Sequence, residues 1–174
     1  MPQILPNDRL NRLVRATEEQ INYWQEGVSL QNASGQTISQ LISNAAADRW
    51  RFAYEHRHNA NKLLKSKPPL YRSAISRYYY SMYHAMRACV FVFHGGDDYQ
   101  EHRELPSHIP TDFPSGVPWS NMLKDARYHR NRADYEPYPK SSTTWLIDAL
   151  QLKKDADLFL TATRAYLENK GCIL

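Results

Sequence analysis

Leu70-Tyr71-Arg72-Ser73-Ala74-Ile75-Ser76-Arg77-Tyr78-Tyr79-Tyr80-Ser81-Met82-Tyr83-His84-Ala85-Met86-Arg87-Ala88-Cys89-Val90-Phe91-Val92-Phe93 is the segment that decides the fold. At helical spacing, Ala74, Tyr78, Ser81, Met82, Ala85 and Cys89 fall on one face, and Tyr79, Tyr83, Met86, Val90 and Phe93 on a second. A helix that is apolar on two faces packs against two neighbours. It is therefore central to a bundle or shared with a second subunit. A third stripe, Arg77, Tyr80, His84 and Arg87, interleaves cations with rings. That pattern suits phosphates and stacked bases, and it equally suits a dimer interface or a solvated face.

Pro68-Pro69 separates this helix from the one before it, which the pattern predicts from about Gln36 to Lys65. Ala46, Ala53, Ala60 and Leu64 mark its contact stripe, and small residues there imply close helix packing. Upstream, Asn7 or Asp8 can cap a first helix to about Gly27, with Leu10, Leu13, Ile21 and Trp24 available to pack. Asn32-Ala33-Ser34-Gly35 reads as a turn. Downstream, Gly95 to Trp119 is a long loop containing Pro106, Pro110, Pro114 and Pro118. Loops of that length usually cover something or carry function. Ser120 is placed to cap a fourth helix, which Pro137 and Pro139 end. Ser141 or Ser142 caps a last helix to about Lys170, carrying Trp145, Ala149, Leu152, Ala156, Phe159 and Tyr166. No strand-period segment and no internal repeat is evident. The fold expected is all-α: an up-and-down helical bundle of about five helices with one long Pro-rich loop. It forms one domain over residues 1–174, with 1–35 a helical addition.

The fourth helix carries the densest chemistry, in Ala126-Arg127-Tyr128-His129-Arg130-Asn131-Arg132-Ala133-Asp134-Tyr135. Leu123, Ala126, Arg130 and Ala133 share a face, so Arg130 lies on the apolar side. A guanidinium cannot deprotonate, and so it needs a carboxylate, a phosphate or a second subunit there. Asp134, its i+4 neighbour, is the structural candidate. Cutting RNA without a metal needs a base for the 2′-OH, an acid for the leaving oxygen and cations for the phosphorane. Arg130 and Arg127 can supply the cations and Asn131 can orient an oxygen. His129 titrates in the useful range, whereas a tyrosine such as Tyr135 ordinarily titrates near pH ~10, too high for a base at pH 7. A dimer could bring His129 or His84 of one subunit to Arg130 of the other.

Composition narrows the alternatives. With 174 residues, 42% of them hydrophobic and only 6 glycines, the chain can build a core and is not of disordered type. Twelve tyrosines and four tryptophans favour interfaces where a ring is half wet. The formal charge of +4 permits nucleic-acid binding without requiring it. Cys89 and Cys172 give no disulfide framework, and the chain shows no secretory leader or bilayer span, so a cytoplasmic setting is expected. His56 and His58, two apart on a helix, point away from each other and read as surface residues. His94, Asp97, Asp98 and His102 read as solvated loop groups. No metal and no cofactor is therefore expected. Gly-rich phosphate loops, Gly-x-Ser-x-Gly, Cys-x-x-Cys and His-Glu-x-x-His are all missing from the sequence.

Three segments in order resemble the HEPN superfamily. Tyr71 to Ala85 looks like the family's Ala-x-x-Arg-x-Tyr-Tyr-Ala helix. His102-Arg103-Glu104-Leu105-Pro106 and the loop after it form the second segment. Arg130-Asn131-Arg132-Ala133-Asp134-Tyr135 is similar to an Arg-x-x-Ala-Asp-Tyr form of the signature. The likeness spans roughly Ala46 to Leu167. It implies a dimeric helical domain of toxin–antitoxin and phage-defence modules, many of whose members are metal-independent endoribonucleases. Arg130-Asn131 matches the first half of the usual catalytic signature. Where a histidine would follow, this chain reads Asp134, Tyr135, Glu136, Pro137. The resemblance thus implies an RNA-directed homodimer, either an endoribonuclease with an atypical site at Arg130 or a non-catalytic module for RNA, a nucleotide or a partner such as a nucleotidyltransferase.

Overall fold

In a computed structural model, residues 7–138 and 141–174 are described, as are the side chains from residue 11 onward apart from 139 and 140. Among them six helices follow one another: α1 (Asn7–Val14), α2 (Glu18–Ser34), α3 (Ile38–Lys65), α4 (Tyr71–His94), α5 (Trp119–Tyr135) and α6 (Ser142–Asn169). Among the described residues there is no strand. The chain divides into two compact units, one reaching to Leu41 and one from Ile42 to Leu174.

The first unit departs from expectation. A single helix to Gly27 is predicted, but the chain breaks after Val14 and restarts at Glu18. Thr17 is the reason: its hydroxyl accepts from the Gln20 N–H while the Gln20 side chain accepts from the Thr17 N–H, a reciprocal cap. Gly35, at φ 67°, closes α2, so the predicted turn is shortened to its last residue. Leu13 and Trp24 do not pack: they are 52% and 47% exposed, and no residue of α2 is buried. The proposed cap at Asn7 or Asp8, the packing of Leu10 and the stop at Pro139 fall outside the described residues or side chains.

The second unit is built around α4. All of the residues predicted for its two apolar faces are buried except Phe93, which lies at the open C-terminal end of the helix. One face meets α3, where Tyr78 donates to Asn61 Oδ1 at 2.6 Å. Ala46, Ala53 and Ala60 on α3 are fully buried. The residue pairings fix the directions. Asn61 sits by Tyr78 and Arg49 by Phe91, so α3 runs antiparallel to α4. Arg72 bonds the Ala133 carbonyl and Arg130 reaches Tyr80, so α5 is antiparallel to α4 as well. Arg72 lies over Trp145 and Cys89 faces Thr163, so α6 runs parallel to α4. Helices α4 and α6 form the central pair, flanked by α3 and α5.

Ser141 caps α6 through the Thr144 N–H, as predicted. For α5 the helix begins at Trp119 behind Pro118 with no side-chain cap, so Ser120 does not serve. The long loop is packed rather than loose. It holds a short 3-10 turn at Leu105–Ser107, and Leu105, Pro106, Pro110 and Phe113 are buried. Asp97 fastens its start by accepting from Arg49 at 2.9 Å and from Arg87.

Candidate nucleic-acid interface

Arg130 is 9% exposed, as its helical phase requires, and its guanidinium is held from within the chain, although its buried Nε has no hydrogen-bond partner. Nη2 donates to the Tyr80 hydroxyl at 2.9 Å, Nη1 to Asn131 Oδ1 at 2.9 Å, and Nε lies 3.6 Å from Asp134 Oδ2. The rings of Tyr79, Tyr80 and Tyr135 lie 5.4, 5.3 and 5.9 Å from its central carbon. Asp134 also accepts from Ser76. The arginine therefore ties α5 to α4, and Asn131 serves it rather than an open site.

The other candidates on α5 scatter. Arg127 turns to the loop and donates to the His102 carbonyl at 3.1 Å. His129 faces α6, its Nδ1 3.5 Å from Asp148 Oδ2, where neither atom has a hydrogen-bond partner. Tyr135 is 73% exposed, with its ring over Arg130. Within one protomer, His129 and Arg130 are not brought together.

Along α4 the predicted stripe divides. Arg87 is held by Asp97 and by Gln100 Oε1 at 3.2 Å. Burial works to raise the Asp97 carboxyl, but the bonds and charges of Arg87 and Arg49 outweigh it and keep it below the ordinary range. Tyr80 is committed to Arg130. Arg77 is exposed, its Nη1 3.4 Å from His56 Nδ1. His84 stacks on His56 with ring centroids 5.3 Å apart and planes at 8°, and the Phe52 ring edges both at 4.8 and 4.5 Å.

The structure corrects the surface reading of His56, which is buried at 7% exposure. Its position three after Ala53 and four before Ala60 places it on the buried stripe. Burial and the Arg77 charge lower its imidazole to about 4. Burial, then the neighbouring histidine and arginines, lower His84 to about 4 as well. His102 also leaves the solvated class assigned to it. Its Nδ1 lies 2.7 Å from the Tyr79 hydroxyl, and burial with the charges of Arg130, Arg127 and Arg87 lowers its pKa. All three imidazoles are neutral at pH 7.

These groups open onto two adjoining clefts that share His56 and Arg77. One, of about 480 Å³, is lined by Ser73, Ser76, Tyr80, His84 and Asp134; the other, of about 420 Å³, by Phe52, Glu55, Asn59, Lys62 and Leu63. Together they make a groove between α3 and α4 with Arg77 at its waist and Lys62 at one end. Phe52, 46% exposed, is the functional candidate the sequence reading missed. Among the described residues no three His, Cys, Asp or Glu are grouped to hold a metal ion, and no helix is long and apolar enough to cross a membrane.

The family model for the HEPN domain matches residues 46–167, which takes in α4 and α5, most of α3 and α6, and this groove. No curated protein matches the chain.

Proposed function

The chain belongs to the HEPN domain family, and from that premise we propose that it is an RNA-directed module that holds single-stranded RNA in the Arg77 groove without cutting it. The observation that carries this reading is the groove itself. Arg77 is an exposed cation at its centre, Lys62 lies at its end, and Phe52, His56, Tyr80 and His84 line it. Cations set among rings take phosphates and bases together, and a strand whose bases are unstacked can use both. The hydroxyls of Ser73 and Ser76 add hydrogen-bonding capacity beside the rings.

Turnover fits the geometry poorly. A metal-free mechanism needs an acid to protonate the leaving oxygen, and the groove's own imidazoles, His56 and His84, lowered to about 4, hold no such proton at neutral pH. Arg130 is already paired and stacked, so it acts as a positioning residue that sets Tyr80 in the groove wall. The family context extends the reading to a cytoplasmic homodimer of a prokaryotic toxin–antitoxin or defence module, with a nucleotidyltransferase or another defence subunit as cognate partner.

The test is fluorescence anisotropy with a labelled single-stranded RNA across a salt series. Wild type is expected to bind with an affinity that falls as salt rises, and Arg77→Ala to weaken binding about tenfold and flatten that dependence. Equal binding by wild type and Arg77→Ala would remove the groove from the account.

A further inference from the structure

The unit that reaches to Leu41 carries chemistry that the RNA groove does not use. A cleft of about 520 Å³ opens between α1 and α2, lined by Asn11, Arg12, Arg15, Gln20 and Trp24. That size lies within the usual range of small-molecule sites, about 300–1,000 Å³. Arg12 and Arg15 lie three residues apart, and the Arg15 N–H still bonds the Asn11 carbonyl, so the two guanidiniums share one side of the turn. Neither meets a carboxylate among the described residues, although Glu18 and Glu19 open α2. Glu19 instead accepts from Tyr23. Two like charges with no carboxylate beside them among the described residues repel each other, and an anion held between them relieves that repulsion.

Trp24 supplies the second half. Its ring is 47% exposed and has no stacking partner among the described residues. The other three tryptophans, Trp50, Trp119 and Trp145, are buried at 8%, 6% and 4% exposure. Gln20 uses its carbonyl oxygen in the Thr17 cap, which leaves its NH₂ group and the Asn11 amide beside the ring. A bare phosphate would use only the arginines. A flat base edged with donors and acceptors, joined to a phosphate, uses the whole cleft.

We propose that this cleft binds a nucleobase-bearing phosphate, with the base stacked on Trp24 and the phosphate between Arg12 and Arg15. The site lies apart in sequence from the Arg77 groove and does not depend on it. Two sources present this chemistry: a free mononucleotide and a nucleotide within a strand.

Because Trp24 is the one exposed tryptophan, stacking reports itself in the emission of the intact chain. The protein is titrated with AMP, adenosine and a short oligo(A) RNA, as wild type, Trp24→Phe, Arg12→Ala/Arg15→Ala and Arg77→Ala. The expected result is quenching by AMP or oligo(A) that Trp24→Phe abolishes and the double arginine variant weakens about tenfold. Adenosine, lacking phosphate, should be weaker than AMP by a similar factor. Quenching at similar concentrations of AMP and oligo(A) assigns the free nucleotide, and quenching at much lower oligo(A) concentration assigns the strand. No quenching by either, quenching that survives in Trp24→Phe, or adenosine matching AMP overturns the proposal. Arg77→Ala should leave the quenching by AMP unchanged, so a failure of the groove and a failure of the cleft are read separately.

Discussion

Arg130 shows what one buried cation demands of its neighbours. It cannot shed its charge, so the fold supplies the Tyr80 hydroxyl, the Asn131 oxygen, Asp134 and three aromatic rings. Removing it leaves Tyr80 and Asp134 without that partner. Arg130→Ala should therefore lower stability by about 2–4 kcal/mol in urea titration, and Arg130→Lys should recover little, because an ammonium cannot fork to two acceptors. A loss under about 0.5 kcal/mol, the range of ordinary surface substitutions, would contradict the positioning role. The stacked pair His56 and His84 makes a second prediction. Their folded pKa values, about 4, lie below the unfolded value of about 6.5, so the unfolded chain binds more protons between those limits. Their contribution is complete above about pH 6.5 and is lost as pH falls towards 4, on the order of 3 kcal/mol for each at the low end. The urea midpoint should drop steadily from pH 7 to 4.5, and the drop should shrink in His84→Gln. Much of this was legible. The spacing of Leu123, Ala126 and Ala133 places Arg130 inside, and the spacing of Ala53 and Ala60 places His56 there too, although its nearness to His58 led to a surface reading. The contact of His102 with Tyr79 was not legible, because a loop has no period from which to read direction.

At the scale of elements, local side-chain bonds decided what periodicity could not. The break before α2 was written in Thr17 and Gln20, a cap signature that an apolar pattern running through both helices hid. Thr17→Ala should cost about 1 kcal/mol locally. The first amides of α2 should then exchange roughly fivefold faster, with protection in α4 and α6 unchanged. Pro118 set the start of α5 without help from Ser120. The long loop illustrates the opposite case: its prolines predicted irregular backbone, and its first turn is anchored by a carboxylate. Asp97 holds both Arg49 and Arg87, and its removal leaves two half-buried guanidiniums without their carboxylate. Asp97→Ala should speed proteolytic cleavage within residues 95–104 severalfold while the helical signal in circular dichroism persists. Cleavage at the wild-type rate would show that the loop is held down without Asp97, by its buried residues and by the bonds at His102.

For the whole molecule, the two apolar faces of α4 were enough to predict a bundle with this helix at its centre. Periodicity gave the number of core helices and their short connections. It could not say which helix pairs with α4 along its full length, because α3, α5 and α6 each present a plausible stripe. Nor could it show the groove, which exists only once Phe52 and His56 of α3 are set beside Arg77 and His84 of α4. The central claim is that this groove holds RNA and leaves it intact. Photo-crosslinking of a 4-thiouridine-labelled single strand to the intact protein in EDTA, followed by peptide mapping, tests it most directly. The account predicts full-length RNA joined to peptides that contain Phe52 or Tyr80. Crosslinks confined to the α5–α6 face around His129, or strands shortened to 2′,3′-cyclic phosphate ends, would contradict it.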